Sequence, residues 1–246
     1  MNLNDLQTTW DAQGRVDPLW AILSESDKRG RRWDAAEFFA TGVREVQKLM
    51  SDLRGLRGGE VGSRAALDFG CGVGRLTQPL AEHFAEVVGV DLSPSMINLA
   101  QQYNGHPNRC SYWVNACADL ARFADGAFDL VLSYLTLQHM PPRYTKQYIR
   151  EFMRVVSRGG IVCFQLPAAP AGSAAVRVPV WRLKSAVRAL LARIGIGNGA
   201  GIAMYGVSRG AVARTLQESG GRLLEVTRVD AFTPGWEGYR YIASKE

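Results

Sequence analysis

Short apolar runs alternate with segments of helical period through the middle of this chain. AALDF (65–69), EVVGV (86–90), SYWV (111–114), FDLVLS (128–133) and GGIVCFQL (159–166) read as strands. Residues 75–85, 94–104 and 143–157 read as helices between them. That alternation predicts βαβ units around a parallel sheet, and near-continuous apolar strands predict a sheet covered on both faces. Upstream, Phe38, Phe39, Val43, Val46 and Leu49 recur at helical spacing, predicting a long helix from about Asp34 to Leu53, capped by the acid at its start. Gly55, Gly58, Gly59 and Gly62 then punctuate the chain. Downstream, Ser208 is placed to cap a helix ending near Ser219, and RLLEVTRVD and GYRYIASK read as two strands of period two around a Pro-Gly turn. Between 168 and 206 lie a Pro/Ala/Gly-rich connection, the basic amphipathic stretch WRLKSAVRALLARIG and the glycine-rich GIGNGAGIAMYG.

Composition narrows the class. With 246 residues, 47% hydrophobic and 21% charged, the chain has the core-forming capacity of one large domain or one domain with a cap. Disorder, collagen and coiled coil are excluded as descriptions of the whole. The net charge is +6, but its distribution matters more. Residues 141–217 hold twelve bases and one acid, Glu151, while the remainder holds seventeen bases and twenty-two acids. Four cysteines form no CxxC pair, so buried reduced thiols, no metal and a cytoplasmic location are expected. No run approaches the roughly 18 apolar residues of a membrane span, so no membrane partner is expected.

The chemistry concentrates in AALDFGCGVGRLTQPL (65–80). A buried strand ends near Asp68, Gly70, Gly72 and Gly74 follow at alternate positions, and a helix starts near Arg75. Glycines allow a sharp turn and close backbone approach to a ligand, and a helix start offers free N–H groups. Asp91 ends the next strand, seventeen residues beyond Gly74, where a carboxylate accepts hydrogen bonds from two ribose hydroxyls. The spacing G-x-G-x-G departs from the G-x-G-x-x-G of dinucleotide sites and argues against a nicotinamide oxidoreductase. Asp68, two residues before the turn, repels a pyrophosphate and suits the ammonium of an amino acid, which points to S-adenosylmethionine.

On these residues the sequence resembles the class I S-adenosylmethionine-dependent methyltransferases, of the small-molecule type. LDFGCGVGRLTQPLA is similar to their first motif, VVGVDLSPSMINLA to their second, FADGAFDLVLSYLTLQHMPP to the fourth-strand motif and MRVVSRGGIVCFQ to the helix and fifth strand, in family order. The resemblance implies an α/β, Rossmann-like seven-stranded sheet of order 3214576 with strand 7 antiparallel. It also implies N-terminal helices as a cap (1–60), a methyltransferase domain (61–246) and a helical insertion before strand 6 (about 168–206). By the same resemblance, Asp68 and Gly70 line the methionine end, with Cys71, Gly72 and Gly74 giving backbone approach. Asp91 binds the ribose, Leu92 and Met96 flank the adenine, and Ser133 and Tyr134 sit beside the sulfonium. Many relatives carry an acid after the third strand for the adenine amino group. This chain has Ala116 there, between Asn115 and Cys117, leaving Asn115, Asp119 or a backbone carbonyl for that contact.

Methyl transfer is an in-line displacement that asks the protein mainly to align the reacting atoms and exclude water. A hydroxyl acceptor also needs a base, and His139 is the candidate, with pocket lining as its competing role. Tyr205, Trp236, Tyr239 and Arg240 are candidate substrate-pocket residues, with strand packing as the alternative for the tyrosines. Trp10, Trp20 and Trp33 read first as core, and the resemblance gives the alternative that such N-terminal helices lid the acceptor pocket. The implied function is methyl transfer to a small molecule, with oxygen favoured as acceptor atom and S-adenosylhomocysteine as product. A nucleic-acid methyltransferase and a non-catalytic S-adenosylmethionine-binding protein are the alternatives. Nucleic acid is not the expected partner, because Arg143, Lys146, Arg150, Arg154 and Arg158 read as the solvated face of one helix. The remaining bases, Arg177, Arg182, Lys184, Arg188 and Arg193, place a basic lid in the insertion and suggest an anionic acceptor.

Overall fold

The computed structural model describes residues 2–57, 61–168, 203–229 and 236–246. Three helices lead: α1 (Leu3–Val16), α2 (Pro18–Ile22) and α3 (Ala35–Arg57). The sheet and its helices follow as β1 (Ala65–Phe69), α4 (Thr77–Leu80), β2 (Glu86–Asp91), α5 (Pro94–Gln102), β3 (Cys110–Val114) and β4 (Phe128–Ser133). After a 3-10 turn (Leu137–His139) come α6 (Pro142–Val155), β5 (Val156–Pro167), α7 (Arg209–Glu218), β6 (Gly221–Val229) and β7 (Gly238–Lys245).

The sheet order is β3-β2-β1-β4-β5-β7-β6, with β7 antiparallel to both neighbours, as the family resemblance implied. Alternation along the strands divides the core. Ala65, Leu67 and Phe69 face a cluster with Tyr148 and Phe152 of α6 and Val212 and Leu216 of α7. Ala66 faces the other side, with Leu49 and Leu53 of α3 and Leu80 and Phe84. A third cluster joins the leading helices to the domain, packing Leu19, Trp33 and Phe38 with Val73 and Met96.

Local chemistry sets the element ends. Asp34 accepts the Glu37 N–H (2.9 Å) at the start of α3, and Ser93 accepts the Met96 N–H (3.2 Å) at the start of α5. The helix expected over 75–85 shrinks to four residues, because Pro79 has no N–H to donate and the flanking bonds mix three- and four-residue spans. Arg158 lies on β5 rather than on α6, and Arg154 is paired with Glu151 and Asp125, so the basic helix face is shorter and partly neutralised. Cys71, Cys110 and Cys163 are buried free thiols, whereas Cys117 is exposed, against the expectation for all four. The insertion with its five basic residues, and the Pro-Gly turn at Pro234, lie outside the described residues.

Helix α3 approaches the start of α4 closely. A Cβ at Gly42 would stand 2.0 Å from the Arg75 carbonyl oxygen, a rigid backbone atom. Gly42→Ala is therefore expected to lower stability by about 1–3 kcal/mol, read as a lower Tm. Gly55→Ala in the same helix meets nothing within 4 Å and is expected to raise stability, by about 0.5–1 kcal/mol. Equal effects of the two substitutions would contradict this packing.

Candidate functional site

The site is assembled at the carboxyl ends of β1, β2 and β4, where open α/β sheets bind ligands. Leaving β1, the chain turns at Gly70 (φ +77°), and the N–H groups of Gly70 and Cys71 both donate to the Val90 carbonyl (2.7 and 3.0 Å). Gly72 is also left-handed (φ +54°), and its N–H donates to Asp91 Oδ2 (2.9 Å). The other carboxylate oxygen, Oδ1, accepts the Ser93 N–H (2.9 Å). Burial raises the Asp91 carboxyl above its ordinary pKa, and the backbone donors of Ser93 and Gly72 oppose that shift.

A cavity of about 990 Å³ opens in front of this loop. Of the expected cofactor residues, Gly70, Gly72, Asp91, Leu92, Met96, Asn115 and Tyr134 line it. Asp68, Cys71, Gly74, Ala116, Cys117 and Ser133 are not among its lining residues. Asp68 is 2% exposed behind the loop, where Thr77 Oγ1 donates to it at 2.6 Å. Burial pushes its carboxyl up to about 6, against the pull of Thr77 and Arg75. The Asn115 amide donates to the Asp119 carbonyl and the Tyr148 hydroxyl, both at 3.2 Å, and the Tyr148 hydroxyl donates to the Cys117 carbonyl. The Tyr134 hydroxyl pairs with Cys163 Sγ (3.3 Å), so only its ring side serves the cavity.

His139 lines the cavity. Its Nδ1 meets the Ala203 carbonyl at 3.3 Å, and Trp10 packs edge-on against its ring at 4.9 Å. Burial lowers the imidazole pKa to about 4, so the ring is neutral at pH 7. The four candidate substrate residues stand apart from the described wall. The Tyr205 N–H donates to the Gln138 carbonyl (2.7 Å), and Trp236 packs beside Gly206. The Tyr239 hydroxyl donates to Glu237 (2.8 Å). Arg240 lies between α3 and β6, where Asp52 of α3 (2.7 Å) and Glu225 of β6 (3.0 Å) neutralise it.

Of the other half of the wall, sequence reasoning reached only Trp10 and Trp20, and those as the alternative to core packing. Leu6, Trp10, Gln13, Trp20 and Ile22 come from the leading helices, and Leu135 and Gln138 from the turn after β4. Leu6, Trp10 and Gln13 share one face of α1, a signal visible in the sequence, but which neighbour that face meets is not. Leu135 adopts a left-handed backbone (φ +57°), a costly choice for a branched residue, and no composition rule announces it. Helix α1 is seated on the Asp91 loop: the Gln7 amide donates to the Leu92 carbonyl (3.0 Å), and Asp11 accepts the Ser95 N–H (2.8 Å). Among the described residues, no three His, Cys, Asp or Glu side chains converge to hold a metal, and no helix is long and apolar enough to cross a membrane.

Comparison with known proteins agrees with this layout. Residues 67–164 match the family described as a methyltransferase domain. A ubiquinone biosynthesis O-methyltransferase from Chromobacterium violaceum is 32% identical over 135 residues, covering 54% of this chain and 56% of that protein. Ajmaline N-methyltransferase from Rauvolfia serpentina is 32% identical over 103 residues, covering 40% and 34%. The chain thus spans about half or less of these curated relatives. Magnesium protoporphyrin IX methyltransferase from Synechocystis PCC 6803, solved with S-adenosylhomocysteine bound, shares the fold with a TM-score of 0.65. That match has 19% identity and covers 99% of each chain. Four motifs in order, the 3214576 sheet and the matched family agree: residues 67–164 match a methyltransferase domain, within a sheet of the class I S-adenosylmethionine-dependent order.

Proposed function

We propose that the protein transfers a methyl group from S-adenosylmethionine to a small-molecule acceptor, through oxygen. The observation that carries this reading is the Asp91 carboxylate, held by two backbone N–H groups on the wall of a cavity that also contains the turned glycine loop. These groups fit the cofactor: a two-oxygen acceptor for a ribose diol, the apolar side chains of Leu92 and Met96 for a purine, and the cavity-lining turn at Gly70 and Gly72 for the amino-acid end. When bound, S-adenosylmethionine supplies a sulfonium-activated methyl group, and its transfer leaves S-adenosylhomocysteine. Ligand clefts run to roughly 1,000 Å³, so the cavity has room for cofactor and acceptor together.

The chain's own part is alignment and dryness. Residues 1–60 act as a cap and 61–246 as the methyltransferase domain, with 168–206 as its insertion. Trp10 and Trp20 of the cap cover the cavity opposite the sheet. With Nδ1 turned to the Ala203 carbonyl, His139 offers an unprotonated Nε2 toward an acceptor hydroxyl. Its low proton affinity suits it to orient that hydroxyl and take the proton only as the new bond forms. The oxygen preference draws on the ubiquinone O-methyltransferase relative, and a nitrogen acceptor on the ajmaline one is the competing chemistry. An anionic acceptor draws on the basic residues between 177 and 193. Arg29 is the only Lys or Arg among the described lining residues. Three buried free thiols accord with a reducing, cytoplasmic setting.

S-adenosylhomocysteine is expected to raise the Tm of the wild-type protein, by about 2.7 kcal/mol of stabilisation at a hundredfold excess over Kd. Asp91→Ala is expected to weaken that binding tenfold or more, since two charge-assisted bonds of about 1.5–3 kcal/mol each are lost. Calorimetric titration checks both, and a variant binding as tightly as wild type would remove Asp91 from the site.

The pH behaviour follows from His139. Its folded pKa lies near 4 against an ordinary 6.5, so between those values the unfolded chain binds a proton that the folded chain does not. Wild type is therefore expected to lose stability relative to His139→Gln as pH falls from about 6.5 to about 4. Denaturant titrations at several pH values read this difference. Asp68, shifted the other way, acts equally in both proteins and cancels. A flat difference would show that the imidazole charges freely.

A further inference from the structure

The cavity wall carries an apolar stretch, Leu6, Trp10, Trp20, Ile22, Leu23 and Met204, beside the polar Asp17, Glu25 and Arg29. The Trp20 indole N–H is already spent on the Glu25 carbonyl (2.8 Å), so that residue offers ring surface alone. One polar group on this wall is unanswered. Gln138 is 6% exposed, lines the cavity, and its side-chain oxygen is buried with no hydrogen-bond partner. Leaving such an atom unmet costs about 1–3 kcal/mol, and a ligand donor removes the cost.

The turn that carries Gln138 is held rigidly. The Tyr205 N–H bonds its backbone carbonyl (2.7 Å), the next residue's imidazole meets the Ala203 carbonyl (3.3 Å), and Thr136 packs against Gly70. Its place in the sheet separates it from the ribose end. Asp91 closes β2 and Gln138 follows β4, and these strands flank β1 on opposite sides. Gln138 thus stands next to His139 and Trp10, on the acceptor's side of the glycine loop.

We propose that Gln138 reads the acceptor: its buried side-chain oxygen accepts a hydrogen bond from a neutral hydroxyl or N–H that an aromatic acceptor carries beside its reacting hydroxyl. This rests on the methyltransferase reading above. It narrows the substrate class to flat, largely apolar molecules of catechol type, held between the tryptophans, with a donor next to the oxygen that is methylated. A site built around such a hydrogen bond rejects analogues lacking the donor, because the buried oxygen is then left unmet.

Catechol and phenol serve as probes, with methyl-labelled S-adenosylmethionine and the full chain. Wild type is expected to show kcat/KM at least roughly tenfold higher for catechol. Gln138→Leu is expected to abolish the catechol preference, so that the two probes react with similar kcat/KM, while S-adenosylhomocysteine affinity stays within a few-fold of wild type. Gln138→Glu, which keeps an acceptor oxygen in place, is expected to retain the preference. Wild type that takes neither probe, or both equally, overturns the proposal, as does a Leu variant that still discriminates. A Leu variant losing S-adenosylhomocysteine affinity tenfold also overturns it, because the side chain would then serve the cofactor. Failure of wild type to bind S-adenosylhomocysteine at all would bring down the methyltransferase reading itself, and so is distinguishable from failure of the Gln138 assignment alone.

Discussion

Asp91 holds the site together. Its carboxylate accepts one N–H from the glycine loop after β1 and another from the loop after β2, reinforcing two strand ends that the sheet ladder and the Val90 carbonyl also join. Neither donor is free to find another partner without moving the turn. The same carboxylate lines the cavity, so the group that shapes the floor also presents it to a ligand. Burial raises its pKa and the two donors offset that rise, the balance expected of a carboxylate kept ready to accept further hydrogen bonds.

The leading helices are tied to that floor rather than merely laid over it. Asp11 and Gln7 of α1 bond the backbone at Ser95 and Leu92, four and one residues past Asp91. A built Cβ at Gly72 would stand 2.6 Å from Ile22 Cδ1 of α2, so cap and glycine loop meet at van der Waals contact. Asp17, buried between the helices, accepts the N–H groups of Gly30 and Arg31 and fixes the chain that returns to α3. Displacement of α1 and α2 would therefore disturb the glycine loop and the Asp91 loop together.

Two arginines are neutralised by acids from neighbouring elements. Arg75, 3% exposed, bonds Glu45 and Thr41 of α3, anchoring the start of α4 from behind. Arg240 is divided between Asp52 and Glu225, which ties α3 to the terminal hairpin. His139, with no acid partner in the described structure, takes the other course and stays neutral. An arginine on a terminal strand and a histidine after β4 look equally available in the sequence. Only their neighbours make one a strut and the other a cavity wall.

The strands, their order through the family resemblance, the capped long helix and the glycine–Asp91 pair were all legible in the sequence. Each depends on local repetition or short spacing: period-two burial, a cap three residues from its target, glycines where a left-handed backbone is required. The four-residue length of α4 was legible only in part, since Pro79 announces a break without saying where the turns resume. Asp68 behind the loop, Arg240 against α3, and Ile22 and Gln138 on the cavity wall were not legible. Their roles depend on which surface a side chain meets across long separations in the chain. Sequence by itself determined that a nucleoside-shaped floor exists, because its parts lie within about thirty residues and repeat known backbone geometry. What stands above that floor was decided by tertiary structure alone, because packing joins residues that no local pattern relates.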